Sequence, residues 1–190
     1  MNNYVRSLDE EYKRYKALGE AAIAQLSDEQ ISAPVPGGGN SIAAIVWHVA
    51  GNLESRFTDF RTADGEKPWR NRDEEFEART VSRAELTEKW ERGWRALFDA
   101  LGSITDADLQ ARIRIRHQPL RIDEALHRSL AHTTYHVGQI VFLAKQFTGD
   151  AWKCLSIPLG GSRAYNDALH DETPAAHARA ALARAHGDER

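Results

Sequence analysis

Apolar residues recur at every third or fourth position in four separate stretches of the chain. These stretches span residues 4–26, 42–60, 82–101 and 122–147. Spacing of this kind places the apolar side chains on one face of an α-helix. Each such face has to be buried against another element, and no sustained strand pattern accompanies the four helices. The pattern therefore predicts an all-α protein built as a four-helix bundle.

Short local signals mark where these helices begin and end. The run from Pro34 to Gly39 cannot continue a helix, because it combines missing backbone donors with very free backbone. Ser82 and Glu85 have the spacing of a capping box at the start of the third helix. Polar and apolar residues alternate over 112–116 and Pro119 follows, which predicts a short β-hairpin or extended arm before the last helix.

Composition restricts the class of protein and its compartment. Lys and Arg number 25 against 28 Asp and Glu, a net charge of −3, whereas a nucleic-acid binder normally has a basic excess. With Cys154 alone, no intrachain disulfide can form. The first residues lack the apolar run of a secretory signal, and the most apolar stretch is shorter than a membrane span. We therefore expect a cytoplasmic protein that binds neither nucleic acid nor membrane.

The chain length suits one domain better than two. At 190 residues it can bury one substantial core. We expect residues 1–170 to form a single helical domain and residues 171–190 to form a polar, alanine-rich tail.

Three of the eight histidines occur in a pattern typical of metal ligands. His132 and His136 lie one turn apart on the fourth predicted helix, where their Cβ atoms are about 5–6 Å from each other. Imidazoles at that spacing can converge on one ion at about 2.0–2.1 Å. His48 lies in an equally apolar part of the second predicted helix. A buried, hydrogen-bonded imidazole is the alternative for each residue, but three buried imidazoles without partners are costly. The pattern favours one divalent metal ion on His48, His132 and His136.

The residues around these histidines resemble the DinB/YfiT-like superfamily of small bacterial four-helix proteins. The similar stretches are 47–50 on the second predicted helix and 132–140 on the fourth. Residues 152–158 and 160–162 resemble an uncharacterised branch of that superfamily. The resemblance covers most of residues 1–166. It implies an up-down-down-up bundle, metal ligation by His48, His132 and His136, and often a homodimer.

The ligand set also suggests a type of reaction. Three neutral histidines leave a divalent ion with an open coordination position, which is Lewis-acidic. Thr133 stands where a metalloprotease would carry its general base. Glu54 and Glu124 could act as bases, although solvated helix charges are the commoner role for such residues. These features favour a mechanism that needs no protein base.

The resemblance supplies such a mechanism. Several members of the superfamily use low-molecular-weight thiols such as bacillithiol or mycothiol on electrophilic small molecules, with the metal holding the thiol as thiolate. A metal-dependent hydrolase is one alternative, and a non-catalytic stress protein that binds a metal or small ligand is another. An open coordination position would distinguish a catalytic site from a structural one. Zinc or nickel is the expected metal, with iron or manganese as alternatives.

Several polar residues could complete the site. Asn52 lies one turn after His48 and could orient a bound water or substrate, or it could be a surface amide. Gln139 could contact substrate, support His136 or fill a polar gap. The arginines near the predicted hairpin could recognise an anionic thiol or substrate, or form a solvated face; they are Arg112, Arg114, Arg116 and Arg121.

Overall fold

Seven α-helices and one β-hairpin, joined by loops and three short 3₁₀-helices, make up the described part of the chain. The computed structural model describes residues 3–35, 37–168 and 170–187. Pro36 of the predicted break, residues 188–190 of the predicted tail and Met1 and Asn2 lie outside these ranges. The long helices are α1 (Asn3–Ala24), α3 (Ile42–Phe57), α4 (Arg83–Gly102) and α5 (Ile122–Thr148), and the short ones are α2 (Asp28–Ser32), α6 (Ser162–Asp167) and α7 (Pro174–His186). The predicted all-α bundle is confirmed.

The hairpin consists of β1 (Arg112–Ile115) and β2 (Gln118–Arg121), which pair antiparallel. Its turn residues, Arg116 and His117, have φ of 53° and 64°. Two successive left-handed residues suit the turn of a two-residue hairpin. Their backbone N–H groups donate to the Asp64 carboxylate at 2.8 and 2.7 Å, which stabilises this conformation. The hairpin predicted from the alternating residues is confirmed.

Side-chain caps explain most helix boundaries. Ser82 and Glu85 form the predicted capping box on α4. The first helix ends at Ala24, before the predicted Leu26, because a second capping box at Ser27 starts the separate helix α2. The second long helix ends at Phe57 and not near residue 60, because Thr58 has an extended backbone. Both predictions were too long because buried residues continue the apolar pattern past each helix end.

Contacts between the long helices fix their directions. Residues early in α1 lie beside residues early in α5, and later ones beside later ones, so these helices are parallel; the pairs are Tyr12–Leu126 and Gly19–Val137. The order reverses between α1 and α4, which are antiparallel; the pairs are Tyr12–Trp94 and Gly19–Trp90.

The remaining pair of helices completes the topology. Ile45 and Gln139 line one cavity, whereas Phe57 and Ala125 line another, so α3 runs antiparallel to α5. Helices α3 and α4 consequently point the same way, opposite to α1 and α5. This is the expected up-down-down-up arrangement.

Helices α3 and α4 approach each other very closely at a glycine. A Cβ atom on Gly93 would lie 2.5 Å from the Cα of Ala50, so only glycine fits there. The segment between these helices, residues 58–81, has to cross the bundle because the two helices are parallel. One turn of this crossover is the 3₁₀-helix Asp73–Phe76, which reaches the site described below.

The C-terminal region adds a helix to the outside of the bundle. Helix α7 packs on α1, and its Ala181 and Ala185 are buried. The described part of the predicted alanine-rich tail is therefore a packed helix. None of the helices in the described ranges combines the length and apolarity needed to cross a membrane.

Candidate metal centre

The three predicted histidines meet between α3 and α5. His48 is buried in the middle of α3, and His132 and His136 lie one turn apart on α5. One ring nitrogen from each lies within 4.8 Å of the others, and the Nε2 atoms of His48 and His132 are 3.1 Å apart. A group of three imidazoles at these separations could hold one metal ion.

In two of the histidines, Nδ1 lies within hydrogen-bond distance of an acceptor. His48 Nδ1 lies 2.9 Å from Glu75 Oε2, and His136 Nδ1 lies 2.8 Å from Gln139 Oε1. Both partners accept, so each Nδ1 carries a proton, and in the neutral ring Nε2 then keeps its lone pair. This tautomer is the one in which Nε2 can bind a metal, and such partners commonly orient metal-binding histidines.

Glu75 is itself held by a buried arginine. Arg70 donates to Oε1 at 2.7 Å and to Oε2 at 2.9 Å, and its side chain is only 2% exposed. Burial raises the pKa of Glu75, but hydrogen bonds from Arg70 and His48 outweigh it and hold the pKa below its usual range. Glu75 is therefore an ionised carboxylate that fixes the ring of His48.

A glycine one turn from His48 makes room for this carboxylate. A Cβ on Gly51 would lie 2.3 Å from Glu75 Oε1, so any side chain there would displace Glu75. Sequence reasoning missed Glu75 and Arg70, because both lie in a charged segment without periodicity. Gly51 was the available signal, since glycine in a helix interior costs roughly 0.5–1 kcal/mol and indicates a close approach.

Two of the three histidines, His132 and His136, are neutral at physiological pH. Burial lowers the pKa of His132 to about 3, and positive charge at His136, His48 and Arg70 adds to the effect. Burial also lowers the pKa of His136, although the hydrogen bond to Gln139 opposes it. Neutral imidazole is the form that binds metal, so these two ligands need not lose protons at pH 7.

The hydrogen bonding of His132 leaves a defect that a cation would remove. Its Nδ1 is buried with no partner among the described residues. If the ring proton is on Nδ1, two Nε2 lone pairs face each other across 3.1 Å; if it is on Nε2, Nδ1 is a buried acceptor without a donor. A metal ion would satisfy the facing Nε2 lone pairs of His48 and His132. The residues present therefore fit a divalent ion.

A cavity of about 220 Å³ lies against this cluster. His48, His132 and the half-buried Asn52 contribute to its lining, so Asn52 is on the same side as two of the histidines. The inward-facing Ile113 and Ile115 of the hairpin form part of its wall. Gln139 lines a different cavity, and its side-chain oxygen already accepts from His136.

The other residues weighed from the sequence lie in structural positions. Glu54 joins α3 to α4 by ion pairs with Lys89 and Arg92, and Glu124 caps the start of α5. Of the four arginines near the hairpin, only Arg116 lines the cavity. Arg121 is paired with Asp123 and Glu124, while Arg112 and Arg114 are exposed.

Comparison with known proteins identifies the family. The profile described as "Protein of unknown function (DUF1572)" matches residues 1–161. The chain belongs to this family. The matched region contains α1 to α5, all three histidines and the Glu75–Arg70 pair, whereas α6 and α7 follow it. No curated protein and no solved structure matched the chain.

Proposed function

We propose that this member of the DUF1572 family is a metal-dependent enzyme of the DinB/YfiT type. It activates a low-molecular-weight thiol for transfer to an electrophilic small molecule. One observation carries the proposal: His48, His132 and His136 converge with the Nδ1 atoms of two of them already engaged. In that arrangement the Nε2 atoms of His48 and His136 are available to bind a cation.

Each residue of the cluster has a distinct part in this proposal. His48, His132 and His136 hold the ion, Glu75 and Gln139 orient two of their rings, and Arg70 keeps Glu75 ionised. A divalent ion bound there supplies Lewis acidity, which lowers the pKa of a coordinated thiol and keeps it nucleophilic at neutral pH. Asn52 lies where it could contact the substrate.

The number of protein ligands favours catalysis over a purely structural ion. Within the described ranges, no fourth His, Cys, Asp or Glu joins the three histidines. Glu75 is occupied by His48 and Arg70 and is therefore not available as a fourth ligand. A three-histidine site keeps a position for an exchangeable ligand, and here it lies beside a cavity.

The cavity lining favours a thiolate over an activated water. It contains no carboxylate among the described residues, and Glu54 is held by two cations outside it. A hydrolase would normally use a general base within reach of the attacking water. A thiolate needs no such base, and positive side chains near the site stabilise it.

Elemental analysis of the purified protein tests the metal site. We expect about one equivalent of a divalent metal in the parent and none in the His132→Ala, His136→Ala double variant. His127→Ala is the matched control, because this exposed histidine lies on the same helix outside the cluster. A parent protein that takes up no zinc, nickel, iron(II) or manganese on reconstitution would contradict the proposal.

A thiol-transfer assay then tests the reaction. Metal-loaded protein is mixed with bacillithiol or mycothiol and 1-chloro-2,4-dinitrobenzene. The thiolate sulfur forms a C–S bond to the aromatic ring, and chloride leaves. We expect thioether formation that depends on metal and is lost in the double variant. Equal rates with and without metal would reject thiol activation even if the metal is bound. Homodimerisation, which the resemblance implies, stays a prediction.

A further inference from the structure

The lining of the cavity beside the histidines is unusually rich in arginine. Five guanidinium groups contribute to it, and no Asp or Glu does so in the part of the chain that the structure describes; the five are Arg56, Arg70, Arg72, Arg116 and Arg128. Arginine presents a planar set of donors that matches carboxylate and phosphate groups.

Nearby carboxylates neutralise only part of this charge. Arg56 and Arg116 share one partner, Glu66, at 3.0 and 2.7 Å. Arg72 has its nearest carboxylate, Asp73, at 3.9 Å. Arg128 has no ion pair among the described residues. The five arginines thus face fewer carboxylates than their number, and the cavity has an excess of positive charge.

Two further features show the same excess. Arg70 is almost fully buried, and its Nη1 has no acceptor among the residues described. Burial lowers the pKa of Arg56, and the neighbouring Arg70 and Arg116 lower it further against the opposing effect of Glu66. Unpaired buried donors and crowded cations are costly, and a bound anion would relieve both.

From this arrangement we propose that the cavity binds the carboxylate or phosphate group of a small substrate or thiol. In this proposal, Arg128 and Arg72 contact the anionic group. That the bound anion is a substrate or thiol of the reaction rests on the proposed function. Because His48 and His132 line the same cavity, an anion bound there lies next to the candidate metal centre.

The size and walls of the cavity define the ligand further. Its volume of about 220 Å³ is below the range of roughly 300–1,000 Å³ that is typical of sites for drug-sized ligands. The cavity has an apolar wall, against which a short carbon skeleton can pack; it consists of Phe57, Ile113 and Ile115. The ligand class is therefore a small organic anion with one short apolar part.

Anion titration of the metal-free protein tests the proposal separately from the metal. The probes are inorganic phosphate and malonate, added at low ionic strength while backbone and arginine Nε–H signals are followed by NMR. We expect at least one probe to bind, and the stronger binder identifies the preferred group. Raising the salt concentration should weaken binding, because the charges at the rim are screened.

Arginine variants locate the binding site. We expect Arg128→Gln and Arg72→Gln each to weaken binding about tenfold or more, since a lost charge-assisted hydrogen bond has an effect of that order. Arg128→Lys should keep part of the affinity. Arg114→Gln is the control, because Arg114 is an exposed arginine of the hairpin that does not line the cavity. The affinity of this variant for the anion should stay within about twofold of the parent.

Three results would overturn the proposal. They are no binding of either probe, an unchanged affinity in both Arg128→Gln and Arg72→Gln, and an equal loss in Arg114→Gln. Thermal melting of every variant by circular dichroism confirms that each is folded. Metal content is measured in parallel, so a protein that takes up metal but binds neither anion rejects this inference alone.

Discussion

The two halves of the bundle interior are built from different chemistry. Between α1 and α4, the fully buried Tyr12, Trp90 and Trp94 pack edge to face, with centroid distances of 5.3 Å between the indoles and 6.3 Å from Tyr12 to Trp94. Between α3 and α5 lie three imidazoles, of which those of His48 and His136 are buried and that of His132 is half-buried. Large aromatic side chains supply much of a core's stability, whereas buried polar groups without partners reduce it.

The polar half also contains a buried ion pair, Arg70–Glu75. Such a pair is expensive to desolvate and is seldom the best way to stabilise a core. In this position the pair fixes the orientation of the His48 ring. From this comparison we expect the free energy of folding to come mainly from the aromatic half and the histidine half to contribute less.

The largest expected effect is a loss of stability in the aromatic half. Trp94→Ala should lower the free energy of unfolding by about 3–5 kcal/mol, because it leaves a cavity among fully buried residues. The lower part of that range is expected, since the indole nitrogen is buried without a partner. Urea denaturation measures the loss, and metal content below the melting temperature should stay that of the parent.

A substitution next to Trp94 provides the control. Phe98 stacks on Trp94 but is only half-buried, so Phe98→Ala should cost clearly less. The comparison between the halves fails if Trp94→Ala removes the metal while the protein is still folded, or if it costs less than Phe98→Ala.

The second effect links stability to the metal site. Gly51→Ala forces a methyl group against Glu75, so we expect a loss of about 1–3 kcal/mol from overpacking. Displacing Glu75 from His48 should also weaken metal binding about 10–100-fold, as measured by competition with a chelating dye.

At another glycine in the same bundle, substitution by alanine should change the stability in the opposite direction. A Cβ on Gly138, an exposed glycine within α5, would meet nothing within 4 Å. Gly138→Ala should therefore stabilise the protein by about 0.5–1 kcal/mol and leave metal affinity unchanged. If the two alanine variants behave alike, the close approach of Glu75 to α3 is not what Gly51 provides.

The smallest effect is the contribution of the histidine half to the pH dependence of stability. The pKa of His132 is depressed to about 3, and that of His136 is also lowered, so the unfolded chain binds more protons below an ordinary histidine pKa of about 6.5. These residues contribute stability above pH 6.5, and it is lost as the pH falls toward 3. Partial solvent exposure of His132 keeps the effect small.

Melting curves of metal-free protein between pH 7 and pH 4 measure this effect. Carboxylates titrate in the same range, so the informative quantity is the difference from His132→Gln. We expect the Tm of the parent to fall about 2–4 °C further than that of the variant. A larger fall in the variant would show that protonation of His132 is not opposed by the fold.

Features that depend on local periodicity and spacing were predictable from the sequence. The four long helices, the Ser82 capping box and the hairpin each follow from a pattern within a few residues. The histidine cluster was also predictable, because His132 and His136 share one helix face. His48 was a candidate because it lies in an equally apolar part of the second predicted helix, and the resemblance implied the same ligand.

Features that depend on long-range contacts were not predictable. Glu75 and Arg70 lie in the crossover, where the fold and not the local pattern decides which of many charged residues turns inward. The arginine cavity escaped for the same reason, because it combines residues from α3, the crossover, the hairpin and α5. Of the four arginines weighed from the sequence, only Arg116 belongs to it. The other three arginines near the hairpin do not line the cavity; they are Arg112, Arg114 and Arg121.

The hairpin has an evolutionary consequence. It connects α4 to α5, and its inner face and the turn residue Arg116 contribute to the lining of the cavity beside the histidines. Loops and hairpins of this kind tolerate sequence change better than packed helices do. Relatives could therefore acquire new ligand preferences by exchanging a few residues of this hairpin, while the helices that carry the three histidines and the aromatic half stay constant.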